Sequence, residues 1–179
     1  MIDADVYERA SRIRLVIFDV DGVLTDGGLL FDERGQEFKV FHSRDGHGMK
    51  MLQRSGVEIA VISGREARSV AERMAKLGVA HVHQGHEDKL PVFLELLSQM
   101  SLSPDQTAYV GDDVVDLPVM GRVGLAVAVA DAHPLVKQYA HWQTPTPGGR
   151  GAAREVCDLI MQAQGTLEGQ VGGYLKHVD

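Results

Sequence analysis

Short uninterrupted apolar runs recur along the chain, each closed by an acid or a serine: RLVIFDV (14–20), VEIAVIS (57–63), TAYVGDD (107–113) and LAVAVA (125–130). Runs of this length without polar alternation suit strands buried on both faces, as in a parallel sheet covered by helices. HVHQG (81–85) and HWQT (141–144) read as two shorter strands. Helical spacing fills the intervals. It predicts helices over 45–55, with Met49 and Leu52 on one face and Gly56 as the stop, and over 65–77, closed by Gly78. Further helices are predicted over 88–100, where Pro91 fits the first turn, over 117–123, from Pro134, and over 150–164. Residues 1–12 read as a short amphipathic helix. Residues 27–43 have another texture: two alternating segments flank Asp32-Glu33-Arg34-Gly35, which predicts a β-hairpin.

Strands alternating with helices imply an α/β fold with a doubly wound, mainly parallel, Rossmann-like sheet. Residues 1–165 read as one domain carrying the hairpin 27–43, and the glycine-rich residues 166–179 as a flexible tail. Ligands in such folds bind beyond the carboxyl ends of the strands. Asp19, Asp21, Ser63 and Asp112 all follow apolar runs, so the fold gathers them on one rim.

Composition narrows the partners. The chain has 179 residues, enough to bury a core, and the net charge of −7 disfavours a general nucleic-acid surface. No apolar run approaches a membrane span, and the N-terminus lacks a signal core, so neither a membrane nor secretion is expected. A single cysteine, Cys157, fits the reducing cytoplasm and reads as a core residue of the last helix.

The chemistry sits in four motifs. In Asp19-Val20-Asp21-Gly22-Val23-Leu24-Thr25, two carboxylates spaced i and i+2 past a buried strand can face one pocket. One can attack phosphorus and the other can move a proton. A calcium loop is disfavoured, because Val23 and Leu24 stand where further acids would be needed. Gly111-Asp112-Asp113-Val114-Val115-Asp116 adds acids that, with Asp19, make an all-oxygen site suited to Mg²⁺. Asp112 is the ligand expected, with Asp113 and Asp116 behind it. Ser63, in VISGR, has a hydroxyl able to hold phosphate oxygens, and it also suits an ordinary helix cap. Lys89 stands at a helix start, where a cation opposes the helix dipole and therefore calls for an anionic partner.

D-x-D-G-x-x-T-D, Ser63, Lys89 and G-D-D-x-x-D, in this order, resemble the haloacid dehalogenase superfamily of phosphatases. The resemblance implies Asp19 as nucleophile, Asp21 as general acid/base, and Mg²⁺ held by Asp19, the Asp21 carbonyl and Asp112. Ser63 and Lys89 complete the implied catalytic set. Many relatives insert a substrate-selecting cap domain, for which the spacing here leaves no room. Capless members use neighbouring subunits, which implies a homotetramer assembled through the hairpin. Arg44–Gly48, YVGDDVVDLPVM, VGLAVAVADAHP and GGRGAAREVCDLI extend the likeness to capless enzymes of bacterial lipopolysaccharide sugar synthesis. The substrate so implied is a phosphorylated eight-carbon sugar acid. Its expected contacts are Asp21, His42, Ser43, Arg44, Asp45, Gly46, Lys50, Arg65, Arg73 and Lys89; His42 and Lys50 depart from the asparagine and arginine of the pattern. Arg65 and Arg73 are expected on one helix, too far apart to hold one phosphate, with Arg73 also placed to reach a neighbouring subunit. Arg150, in a glycine-rich run, either begins the last helix or closes over a site. Competing readings are a phosphatase for a nine-carbon ulosonic acid, a phospho-accepting signalling module and a non-catalytic assembly domain.

Overall fold

In the computed structural model, which describes residues 2–176, the apolar runs form a six-stranded parallel sheet. Its strands are β1 (Leu15–Phe18), β4 (Glu58–Ile62), β5 (His81–His83), β6 (Thr107–Gly111), β7 (Leu125–Ala128) and β8 (Trp142–Gln143). The separate hairpin pairs β2 (Leu30–Phe31) with β3 (Glu37–Phe38), antiparallel. The sheet order is β5-β4-β1-β6-β7-β8, so β1 is central, with β4 on one side and β6 on the other. After β1 the chain first builds the sheet to one side and then crosses to the other. This reversal of direction opens a crevice at the carboxyl end of β1.

Residues Leu15 to Phe18 are completely buried, as an unbroken apolar strand at the middle of a covered sheet requires. Helices α1 (Ala4–Ser11), α2 (Ser43–Arg54) and α7 (Ala152–Ala163) pack together as one layer, and α4 (Lys89–Met100), α5 (Leu117–Met120) and α6 (Pro134–Tyr139) as another. Helix α3 (Arg68–Leu77) lies beside α2. Only the hairpin and α2 separate β1 from β4, so no cap domain is inserted there.

Two expectations need correction. Helix α3 starts at Arg68, with Ala67 as its N-cap, rather than at residue 65. The backbone of 63–67 is committed elsewhere: His86 N donates to Ser63 O, Gly85 N to Arg65 O, and Ala67 N to the Gln84 side chain. Ser63 is therefore not a helix cap, and Arg65 and Arg73 do not share a helix. The tail expected over 166–179 contains a further helix, α8 (Leu167–Leu175), whose Leu167 and Val171 pack on the core; residues 177–179 lie outside the described residues.

Candidate active site

Asp19 directly follows β1, its amide donating to Val110 O of β6 at 3.0 Å, and its side chain is almost fully buried. The chain then turns tightly, with Val23, Leu24 and Thr25 all donating backbone N–H to Val20 O. Thr25 Oγ1 accepts from Gly22 N and Gly27 N, and this closes the loop. Gly22 has φ +89°, and a Cβ there would lie 2.0 Å from Asp112 Oδ2. Only glycine permits both the backbone angle and the approach of Asp112.

The loop is buttressed from a distant segment. Gly149 N donates to Val23 O at 2.8 Å, and a Cβ on Gly148 would fall 1.7 Å from Gly22 O. The glycine-rich run 148–151 therefore presses its backbone against the Asp19–Thr25 loop. Arg150 bonds Asp26 across this contact at 3.1 Å.

Lys89, at the first turn of α4, is buried with its Nζ 2.9 Å from Asp19 Oδ1 and 2.7 Å from Asp116 Oδ1. Burial alone would depress the ammonium, but Asp116 and Asp19 outweigh it and raise its pKa. Asp116 also accepts from Tyr109 OH at 2.7 Å, and its other oxygen accepts from Asp112 N and Asp113 N at 3.0 and 3.2 Å.

Carboxylate oxygens of Asp19, Asp112 and Asp116 approach within 4.8 Å of one another. The three do not have equal standing as ligands. Four donors occupy the acceptor positions of Asp116, whereas one Asp19 oxygen and the Asp112 carboxylate remain available. We therefore assign Asp116 to holding Lys89 and the Asp112 backbone. Burial, then repulsion from Asp116, set against Lys89, pushes the Asp19 carboxyl up to about 6. Burial, then Asp19 and Asp116, pushes Asp112 up to about 8. Hard oxygen donors crowded so closely fit a divalent cation such as Mg²⁺, which would return both groups to the charged form.

A cavity of about 510 Å³ opens over this cluster. Asp19, Asp21, Ser63, Arg65, Lys89 and Asp112 line it, and Leu29 of the hairpin segment borders it. Ser63 is held by its amide on His83 O, and its Oγ accepts from Arg65 N at 3.3 Å. The structure thus brings together Asp19, Asp21, Ser63, Lys89, Asp112 and Arg65.

The other expected substrate contacts lie elsewhere. His42, Asp45, Gly46 and Arg73 surround a separate, nearly filled space between α2 and α3. Asp45 is buried and accepts from Arg154 N at 2.9 Å in the first turn of α7, a helix-terminus role. Arg44 borders a third cavity with Arg150 and Arg154. Among the described residues, neither Ser43 nor Lys50 lines the main cavity of this chain. Two functional neighbours escaped sequence reasoning: Lys39 and Glu37, from the hairpin, which reach Asp21 and Arg65. Their alternation with Phe38 is also the signal of a solvated strand face, so the sequence held no means of aiming them.

A buried carboxylate paired with lysine, a second acid two residues on and an oxygen-only cation site define a phosphoryl-transfer centre. Residues 80–155 match the haloacid dehalogenase-like hydrolase family. The 3-deoxy-D-manno-octulosonate 8-phosphate phosphatase of Yersinia pestis is 51% identical over 94% of this chain and 90% of its own length. Its crystal structure superposes with a TM-score of 0.92, covering 93% of this chain and 90% of that one. The Moraxella catarrhalis enzyme of the same name, solved with magnesium, phosphate and the sugar acid KDO, is 34% identical with a TM-score of 0.93, covering 95% and 98%. The chain belongs to the haloacid dehalogenase-like hydrolases, in the family that contains these octulosonate 8-phosphate phosphatases.

Proposed function

We propose that this chain hydrolyses 3-deoxy-D-manno-octulosonate 8-phosphate to the free sugar acid and phosphate, in lipopolysaccharide synthesis. The observation carrying the mechanism is the grip of Lys89 on Asp19 Oδ1, which fixes the carboxylate at the cavity so that one of its oxygens can face phosphorus. That oxygen attacks the phosphorus atom and the bond to the sugar oxygen breaks. Asp21 donates a proton to the departing alkoxide. The product on the enzyme is an aspartyl-phosphate at Asp19. Asp21, now ionised, takes a proton from water, which attacks phosphorus and releases phosphate and the Asp19 carboxylate.

Asp19, Asp112 and the Asp21 carbonyl would hold Mg²⁺, and the ion supplies charge neutralisation for two anions that otherwise repel. Lys89 and Ser63 bind phosphoryl oxygens, and Arg65 on the cavity wall answers the substrate's second negative charge. The wide, open cavity needs a cover to exclude water. Leu29, Leu30, Phe31, Phe38 and Val40 form an exposed apolar strip along the hairpin segment, which supports a homotetramer joined there. In that assembly we place Arg73 and the 42–50 segment towards a neighbour's substrate. No helix among the described residues is long and apolar enough to cross a membrane. With Cys157 buried and unpaired, we place the reaction in the cytoplasm, on a single domain.

The test is phosphate release with Mg²⁺ across eight- and nine-carbon ulosonic acid phosphates. Preference for the eight-carbon ester is expected; preference for a nine-carbon 9-phosphate would reassign the substrate.

A further inference from the structure

The hairpin contributes a buried cation to the catalytic acid of its own chain. Lys39 follows β3, and although the hairpin is largely exposed, the Lys39 side chain is only 2% accessible. Its Nζ lies 2.5 Å from Asp21 Oδ1 and 2.6 Å from Glu37 Oε1. Glu37 Oε2 in turn accepts from Arg65 Nη2 at 2.9 Å. A continuous chain of charge therefore runs from Arg65, on the cavity wall, through Glu37 and Lys39 to Asp21. Glu37 is held below the ordinary carboxylate range, first by Arg65 and also by Lys39, as its position between two cations requires.

Resting on the phosphatase reading above, we propose that Lys39 is a positioning residue for Asp21. It fixes one carboxylate oxygen so that the other faces the leaving group and, later, the attacking water. A free aspartate samples several rotamers, and proton transfer needs one of them. Lys39 stands outside the residues lining the cavity, so it acts through Asp21 rather than on the ester. The pair also makes hairpin seating a condition of proton transfer: a hairpin displaced from its place withdraws Lys39 from Asp21.

The leaving group separates this role from a general loss of structure. An alkyl ester such as the octulosonate 8-phosphate needs a proton on its departing oxygen, whereas p-nitrophenyl phosphate expels p-nitrophenolate, a stable anion. In Lys39→Met, the first-turnover rate on the alkyl ester should fall about tenfold to a hundredfold, and that on the aryl ester less than about threefold. In an Asp21→Asn background the same substitution should add nothing on the alkyl ester. Lys39→Cys alkylated with 2-bromoethylamine should regain the alkyl-ester rate, since the other thiol, Cys157, is fully buried. Equal slowing on both esters, no slowing, or a K39M chain that fails to fold would overturn the assignment, the last by making Lys39 a folding residue. Wild-type protein inactive on both esters would instead overturn the phosphatase reading itself.

Discussion

Asp116 meets the ammonium of Lys89 at 2.7 Å in a place where neither side chain reaches solvent. Through this pair, the turn after β6 fixes the lysine that holds Asp19, so two catalytic segments distant in sequence are tied by one buried contact. Asp116→Asn would leave Lys89 with only Asp19 as a counter-charge. Breaking a buried pair from one side costs about 3–5 kcal/mol, so a clear drop in urea stability is expected, together with slower turnover. Mg²⁺ titration of the same variant should shift much less than in Asp112→Asn. An equal shift in both would make Asp116 a ligand.

Asp112→Asn removes an available oxygen charge from the cation site. The Mg²⁺ concentration for half-maximal activity should rise about tenfold or more, the scale on which metal-site changes act. Metal-free protein should melt no earlier than wild type above about pH 8, where the wild-type Asp112 carboxyl is ionised and repelled by its neighbours and asparagine is not. Earlier melting with an unchanged Mg²⁺ requirement would contradict the role.

Metal-free stability should also fall as pH rises. Asp19 is raised to about 6 and Asp112 to about 8, in each case first by burial, against an ordinary value of 3.8 in the unfolded chain. The folded state thus holds protons that the unfolded state releases. The resulting stabilisation is full below about pH 4 and is lost as pH climbs, through about 6 for Asp19 and about 8 for Asp112. Mg²⁺ displaces those protons, so the rise in melting temperature on adding it should be larger near pH 8 than near pH 5.5. A rise that shrinks with pH would refute the site.

Gly148→Ala should damage the catalytic loop from outside it. The new methyl would fall 1.7 Å from Gly22 O, a backbone atom that cannot swing aside. Overpacking of this kind costs about 1–3 kcal/mol, and turnover should fall with stability. Full activity measured by phosphate release would show that the 148–151 run is not the buttress.

Much of this arrangement was legible in the sequence because unbroken apolar runs mark buried strands, and acids after them mark the rim. That logic places Asp19, Asp21, Ser63 and Asp112, while Lys89 stands out only by its helix-start position and the resemblance, and the structure brings all five around one cavity. Side chains whose role depends on where a loop lands were not legible. Lys39 and Glu37 alternate with Phe38 as any exposed strand would, and only tertiary packing turns them towards Asp21. The start of α3 was misplaced because loop 84–86 captures the donors and acceptors of residues 63–67, a pairing between segments that local propensity does not encode. Residues 167–175 are rich in glycine, yet Leu167 and Val171 find core partners and the helix forms.

The hairpin strip tests the assembly without touching Lys39. Leu30→Glu together with Val40→Glu places charge on residues that are 57% and 72% exposed in the single chain, so the protomer should fold unchanged. Sedimentation should report dissociation of the oligomer, with reduced activity on the sugar phosphate. A fully active monomer would reject cover by a neighbour.

The most direct measurement follows the phosphoryl group onto the protein. Wild-type enzyme turning over the octulosonate 8-phosphate with Mg²⁺ is quenched in acid, which preserves acyl phosphates, and treated with borohydride. Reduction should convert the residue at position 19 to homoserine, only when ester and Mg²⁺ are both present. Phosphate released at full rate with position 19 unchanged, or modification at another carboxylate, would contradict transfer through Asp19.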